Sequence, residues 1–421
     1  MKVGLQPVLN DINIDAKQAN SQRQLAISVS AIAGQLVGDN CQFQLSSKLP
    51  LNLCLILDHS GSMEGEPLRT VKKAAQRLVE RLSPRDRVSV VAFDHRAKVI
   101  VGNQAAKDIA GINKKIEALR ADQGTAIDEG IKLGLKELEK GPKESISYAF
   151  ILTDGENEHG DNQLCIKYAK IAPDKKFTLN ALGFGENWNQ DILEQIADAG
   201  GGTLAYIEKP EQAVEVFDKL FKRMQSVGLT NAYLLFSLMP KVRLAELKPV
   251  AQVAPDTIEL PVQMEGDRYV VRLGDLMNDA RVVLANLYVG KLPEGKQAIA
   301  ELQVRYDNLA ADEEAVLCDP VTVEVNVVQN YQPQSNPEVQ QHILALAKYR
   351  QTQLAESKLK QGDRSGAATM LQTAAKTALQ MGDKSAATVL QFSATRLQEG
   401  EELSEADRKK TRIVSKTILQ E

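Results

Sequence analysis

Leu51-Asn52-Leu53-Cys54-Leu55-Ile56-Leu57-Asp58-His59-Ser60-Gly61-Ser62-Met63 decides the fold. An apolar run of strand length ends abruptly in a carboxylate. Two hydroxyls follow at alternate positions with glycine between them. An unbroken apolar run of this kind predicts a strand buried on both faces, as in a parallel sheet. The helical pattern after it, Leu68, Val71, Ala75, Leu78, Val79 and Leu82, makes a strand–loop–helix unit. Asp58, Ser60 and Ser62 then sit at the carboxyl end of a strand, where open α/β sheets place ligands. One carboxylate and two hydroxyls are hard oxygen donors suited to Mg²⁺ or Ca²⁺.

Two further positions complete such a donor set. Gly124-Thr125 ends a loop and opens a helix with Ile127, Ile131, Leu135 and Leu138 on one face. Ala149-Phe150-Ile151-Leu152-Thr153-Asp154-Gly155 repeats the pattern of an apolar strand ending in Asp-Gly. A strand adjacent to the first brings Asp154 beside Asp58.

These stretches resemble the von Willebrand factor type A (vWA) family. D-x-S-x-S, a later Thr after Gly, and a later strand ending T-D-G make up that family's metal-ion-dependent adhesion site (MIDAS). They stand here in the family's order as Asp58-His59-Ser60-Gly61-Ser62, Gly124-Thr125 and Thr153-Asp154-Gly155. Similarity continues through Asp86–Asp94, Leu182-Gly183-Phe184-Gly185 and Ala199–Thr203, covering roughly residues 50–225. The resemblance implies one divalent cation, Mg²⁺ or Ca²⁺, held by Asp58, Ser60, Ser62, Thr125 and Asp154. It implies that Ser60 and Ser62 ligate directly. Thr125 and the two aspartates ligate directly or through water, depending on the ligand state. The open coordination position receives Asp or Glu from a partner protein.

The rest of the chain divides by texture. The expected fold is a doubly wound, Rossmann-like vWA domain inserted in an antiparallel β-sandwich and followed by a helical region. Residues 1–49 alternate at period two through Leu25, Ile27, Val29 and Ala31, then Cys41, Phe43 and Leu45, as half-buried strands do. Residues 50–225 carry the β/α alternation. Residues 226–330 return to period two, most clearly in Val321, Val323, Val325 and Val327, with turn signals such as Gly266-Asp267 and Pro293-Glu294-Gly295. A strand pair is marginal in water, so residues 1–49 are expected to join 226–330 in one sandwich. Residues 336–421 are strandless. Gly362-Asp363 and Gly382-Asp383 punctuate them as helix ends and caps, giving antiparallel helical hairpins and a final basic helix with a solvated face.

Composition narrows the function. The chain has 421 residues, 43% of them hydrophobic and 25% charged, which fits a globular protein of two or three domains. A net charge of −4 and 5% aromatic content argue against nucleic-acid or anionic-membrane binding. The N-terminus lacks the apolar core of a secretory signal, and no apolar run reaches membrane-spanning length. Cys41, Cys54, Cys165 and Cys318 are scattered without C-x-x-C spacing, which fits a reducing compartment. A cytoplasmic, bacterial-type multidomain form is expected.

The first function expected is a non-catalytic, metal-dependent protein-interaction module. A haloacid-dehalogenase-like phosphotransferase is the first rival, since it also uses two strand-end aspartates with Mg²⁺. It needs a second acid two residues after Asp58, where Ser60 stands, and Lys143 would have to serve as its lysine. A scaffold that binds partners through the C-terminal helices is the other rival. No P-loop or dinucleotide fingerprint is present. His59 and His159 are expected on solvent-facing loops, because a hard-oxygen site does not call for imidazole. Asp94 is expected as an exposed loop carboxylate, with a place behind the metal ligands as the alternative. Trp188 is expected to pack at a helix start.

Overall fold

The structure, a computed structural model, describes residues 1–32, 49–185, 188–207 and 212–416. Cys41, Phe43 and Leu45 lie outside the described residues. Two compact units emerge. One comprises residues 1–32, 232–306 and 315–416; the other comprises 49–231 with 307–314.

The second unit is built on one six-stranded sheet. Its chain order is β4 (Leu51–Asp58), α1 (Glu66–Glu80), β5 (Arg87–Phe93), β6 (Ala97–Ala105), α2 (Ile109–Glu117), α3 (Ile127–Leu138), β7 (Ile146–Thr153), α4 (Asn162–Asp174), β8 (Phe177–Phe184), α5 (Gln190–Ala199), β9 (Gly201–Ile207) and α6 (Ala213–Gln225). Strands β1 (Lys2–Leu9), β2 (Asn13–Asp15) and β3 (Asn20–Ile32) precede it. The sheet order is β6-β5-β4-β7-β8-β9, parallel except for the β5–β6 hairpin. Every residue of β4, β7 and β8 is buried, which explains the apolar runs Leu53–Leu57 and Ala149–Leu152; Asn52, Ser147, Thr178 and Asn180 are buried polar residues of the same strands. Cys54 and Ile56 face a cluster with Ile127, Ile131, Cys165 and Ala169 of α3 and α4. Leu53, Leu55 and Leu57 alternate to the other face.

Connections from β4 lead to β5 on one side, and β7 pairs on the other. The sheet therefore has its topological switch point between β4 and β7, where a crevice opens beyond the strand ends. Helix α3 lies unusually close to this crevice. A Cβ on Gly130 would stand 2.9 Å from the Phe93 ring, and one on Gly134 would stand 2.5 Å from Ile56 Cδ1. These glycines let α3 press against β4 and β5, bringing its first turn to the strand ends.

The first unit holds two further sheets. One has the order β1-β3-β16-β12-β13, with β12 (Val250–Ala254), β13 (Ile258–Glu259), β16 (Arg281–Gly290) and, beside β16, β11 (Val242–Leu244). The other has the order β14-β15-β10-β17-β19-β2, with β10 (Val227–Leu238), β14 (Val262–Glu265), β15 (Arg268–Met277), β17 (Gly295–Asn308) and β19 (Val321–Val328); β18 (Glu313–Leu317) pairs β17. Strand β3 runs antiparallel to β16 from Asn20 opposite Gly290 to Val29 opposite Arg281. The N-terminal segment thus supplies strands to both sheets. One pairing departs from the antiparallel expectation: β2 runs parallel to β19.

The boundary expected at 225/226 falls at 231/232, inside β10. Residues 307–314 go with the α/β unit. The helices α7 (Pro337–Lys360), α8 (Arg364–Gln380), α9 (Lys384–Gln398) and α10 (Glu405–Lys416) do not form a unit of their own. Val339, Leu346 and Tyr349 of α7 pack on Ala26, Val253 and Leu284 of the first sheet. Asp363 and Asp383 cap α8 and α9, accepting from Gly366 N–H at 2.8 Å and Ala386 N–H at 2.9 Å. Ala367, Ala374, Ala375, Ala386 and Leu390 fill the seam between these helices. The last helix is less solvated than expected: Lys409 is buried in it. No helix among the described residues is long and apolar enough to cross a membrane.

Candidate metal centre

Asp58 closes β4 and Asp154 follows β7, so the switch point sets the two carboxylates side by side. Ser60 precedes a short 3₁₀ turn, Gly61–Met63, that carries Ser62. Thr125 stands just before α3. Ser60 N–H donates to Asp58 Oδ1 at 2.8 Å, Ser60 Oγ lies 3.0 Å from Ser62 Oγ, and Ser62 Oγ donates to Asp154 Oδ1 at 2.8 Å. A Cβ added to Gly155 would lie 3.4 Å from Ser62 Oγ, 3.7 Å from Thr125 Oγ1 and 4.0 Å from Asp58 Oδ2. All five residues expected as ligands therefore converge on one small volume. Asp58, Ser60, Thr125 and Asp154 are buried, while Ser62 is exposed and marks the open side.

Charge is unbalanced there. Burial pushes the Asp58 carboxyl up from 3.8 to about 6, against the Thr153 and Ser60 hydrogen bonds that pull it down. Burial also raises Asp154, opposed by the Ser62 hydroxyl. Among the described residues no Lys, Arg or His forms an ion pair with either carboxylate. Hydroxyls satisfy lone pairs but bring no positive charge. No cluster of three or more His, Cys, Asp or Glu side chains is placed to hold a metal among the described residues. The donor set is instead two carboxylates and three hydroxyls, all hard oxygen, and it fits a hard divalent cation.

Sequence reasoning missed two contributors. Thr153, quoted only as part of T-D-G, donates its hydroxyl to Asp58 Oδ2 and accepts from Gly155 N–H at 3.2 Å. Thr153→Val is expected to lower divalent-cation affinity about tenfold without unfolding the protein, as loss of a hydrogen bond behind a ligand commonly does; titration calorimetry measures it. Asn157 caps α3 by accepting from Ile127 N–H at 2.7 Å, tying the Asp154 loop to the Thr125 helix.

His59 corrects an expectation. It is 1% exposed, not solvent-facing. Its Nδ1 lies 2.9 Å from the Arg120 carbonyl and its Nε2 stands 3.3 Å from Asp94. Burial pushes this imidazole below its ordinary value, while Asp94 pulls it up. Asp94 is also buried, and its backbone carbonyl accepts from Ala126 N–H at 2.7 Å. Both residues are enclosed because the 120–126 loop folds over them. Asp122 N–H donates to the His59 carbonyl at 2.8 Å and His95 N–H to the Gln123 carbonyl at 3.3 Å. Gly124 turns this loop with φ +84°, and a Cβ there would meet His95 Cβ at 2.8 Å. His159 is exposed as expected, and Trp188 is buried before α5 with its ring N–H on the Gly185 carbonyl at 2.9 Å.

A doubly wound sheet with this hydroxyl-and-carboxylate loop set is the architecture of a von Willebrand factor type A domain, and that family's model matches residues 52–220. A second model, the Sll0103-like C-terminal alpha-helical domain, matches residues 337–421. The chain belongs to the Sll0103-like von Willebrand factor type A proteins: it is 56% identical over 421 residues to protein sll0103 of Synechocystis sp., covering 100% of this chain and 98% of that one. Two further relatives match less than half of this chain. Escherichia coli YfbK is 28% identical over 42% of this chain and 32% of its own length. Bovine inter-alpha-trypsin inhibitor heavy chain H4 is 28% identical over 41% and 20%. Among solved structures, a von Willebrand factor type A protein from Catenulispora acidiphila superposes with a TM-score of 0.82 at 17% identity, covering 99% of this chain and 97% of that one. The ArnB paralog VWA2 from Sulfolobus acidocaldarius gives 0.61 at 15% identity, covering 99% and 98%. At these identities the likeness is one of fold.

Proposed function

We propose that the chain is a cytoplasmic, non-catalytic interaction module whose metal centre binds an acidic side chain of a partner protein. The observation that carries this reading is the pair of buried carboxylates, Asp58 and Asp154, with no ion-pair partner among the described residues. A dication at this place balances the two charges. Ser60, Ser62 and Thr125 add neutral oxygens, so the cation keeps appetite for one more carboxylate on the Ser62 side. Mg²⁺ and Ca²⁺ both suit such a set.

Absence of catalysis is part of the proposal. Ser60 stands where a phosphotransferase needs its acid, and a hydroxyl does not supply that proton. Lys143 precedes the eight-residue β7, so it lies about 25 Å from Asp154 along that strand, at the far end of the sheet. The scaffold reading retains one supporting observation: Leu354, Leu379 and Phe392 are exposed on three successive helices. Polar substitution of those three tests it without removing α7, which the first sheet needs for its packing.

The module is tested by capture. Immobilised chain should retain a partner in Mg²⁺ or Ca²⁺ and release it in chelator. Thr125→Ala should lose the partner while keeping the fold, and so should Asp→Asn or Glu→Gln at one position of the recovered partner. Capture undiminished in chelator would place recognition elsewhere. Protons should compete with the cation. With Asp58 at about 6 in the metal-free protein, apparent cation affinity should fall about tenfold between pH 7 and pH 5. A flat profile over that range would remove Asp58 from the ligand set.

A further inference from the structure

Helix α1 carries a second surface that the metal centre does not use. Arg69, Lys73, Arg77 and Arg81 follow one another at four-residue steps, and all four are exposed. Four residues of helix rise about 6 Å, so the row is about 18 Å long. Like charges at this spacing repel and weaken a helix. A solvated helix face relieves that repulsion with interleaved acids. Here the ends of the row are engaged: Arg81 pairs with Asp218 of α6 at 2.5 Å and lies 5.6 Å from the Phe221 ring, and Arg69 Nε donates to the Gly65 carbonyl at 3.2 Å. Lys73 and Arg77, in the middle, have no hydrogen-bond or ion-pair partner among the described residues.

The row borders a cavity of 430 Å³ between α1 and α6, lined also by Ala74, Leu78, Ala213 and Phe217. That volume is in the range of ligand-binding clefts. Two cations without a partner among the described residues therefore stand over a recess of mixed lining, Thr70 beside the edges of Leu78 and Phe217. We propose that this groove docks an acidic, amphipathic helical segment of a partner protein. Carboxylates at four-residue steps along such a segment share the pitch of Arg69, Lys73 and Arg77, and an apolar side chain beside them fills the recess against Leu78 and Phe217. A single phosphate is too compact for a row of this length and gains nothing from the recess. A continuous phosphate chain would meet Glu66 and Asp218 on the rim.

The proposal is independent of the metal reading and is tested apart from it. The probe is a fluorescein-labelled helical peptide with glutamates at four-residue steps beside a leucine stripe, titrated into the full chain and followed by anisotropy. Binding should be saturable and should weaken with salt. The double substitution Lys73→Glu with Arg77→Glu should weaken it about tenfold or more. Both positions are exposed, so an unchanged melting midpoint checks the fold. A peptide with lysines in place of the glutamates should restore binding to that variant. Asp58→Asn should leave peptide binding unchanged. Equal binding of a peptide with the same residues in scrambled order, or of the charge-reversed variant, overturns the proposal. So does tighter binding of polyphosphate, single-stranded DNA or anionic vesicles.

Discussion

Asp58→Asn is expected to abolish divalent-cation binding and to leave the metal-free fold at least as stable as the wild type. The amide keeps the shape of the carboxylate and an oxygen for Ser60 N–H, which lies 2.8 Å from Oδ1. It removes half of the negative charge that would hold the cation. The stability half follows from burial. The Asp58 carboxyl rises from 3.8 in the unfolded chain to about 6 in the fold. The fold therefore prefers the neutral acid. Its contribution is fully present below about pH 4 and is lost as pH rises through 6. At neutral pH the metal-free wild type carries an ionised, buried carboxylate that disfavours the fold by about 3 kcal/mol. Asparagine removes that penalty. Thermal melts with Mg²⁺ and with chelator measure both halves: the wild type should melt higher in the metal, and the variant should melt at one temperature in either. Metal-dependent stabilisation retained in the variant would count against Asp58 as a ligand.

Phe150→Ala should cost about 3–5 kcal/mol of stability. Phe150 is fully buried in β7, between β4 and β8, with the Tyr148 ring 6.5 Å away. Its strand delivers Thr153 and Asp154 to the switch point, so cation affinity should fall together with stability. Urea titration should show a lower midpoint with an unchanged slope. A loss below about 1 kcal/mol would mean that neighbours collapse into the space.

What was legible in the sequence was what local pattern encodes. Strands β4 and β7 are buried on both faces, so the runs Leu53–Leu57 and Ala149–Leu152 are unbroken and their ends are sharp. Asp58, Ser60, Ser62, Thr125 and Asp154 are placed by those ends and by the start of α3, so spacing and family resemblance together point to them. The residues that escaped are fixed by contacts distant in sequence. His59 and Asp94 sit in polar stretches that read as surface, and only the fold of the 120–126 loop encloses them. Asn157 caps a helix that begins 30 residues before it. Strand β2 has three residues, too few to show a period, and its partner β19 is some 300 residues away. The stripe Val339, Ile343, Leu346 and Tyr349 looks like the seam of a helical hairpin, yet it packs on a sheet.

Crystals of the protein soaked in Mn²⁺ test the metal centre most directly, because anomalous scattering locates the ion without reference to any assumed ligand. The expected result is one strong peak bounded by Asp58, Ser60, Ser62, Thr125 and Asp154, absent from crystals of Asp58→Asn. A map with no peak at the β4–β7 switch point, or with its principal peak on other side chains, would contradict the assignment.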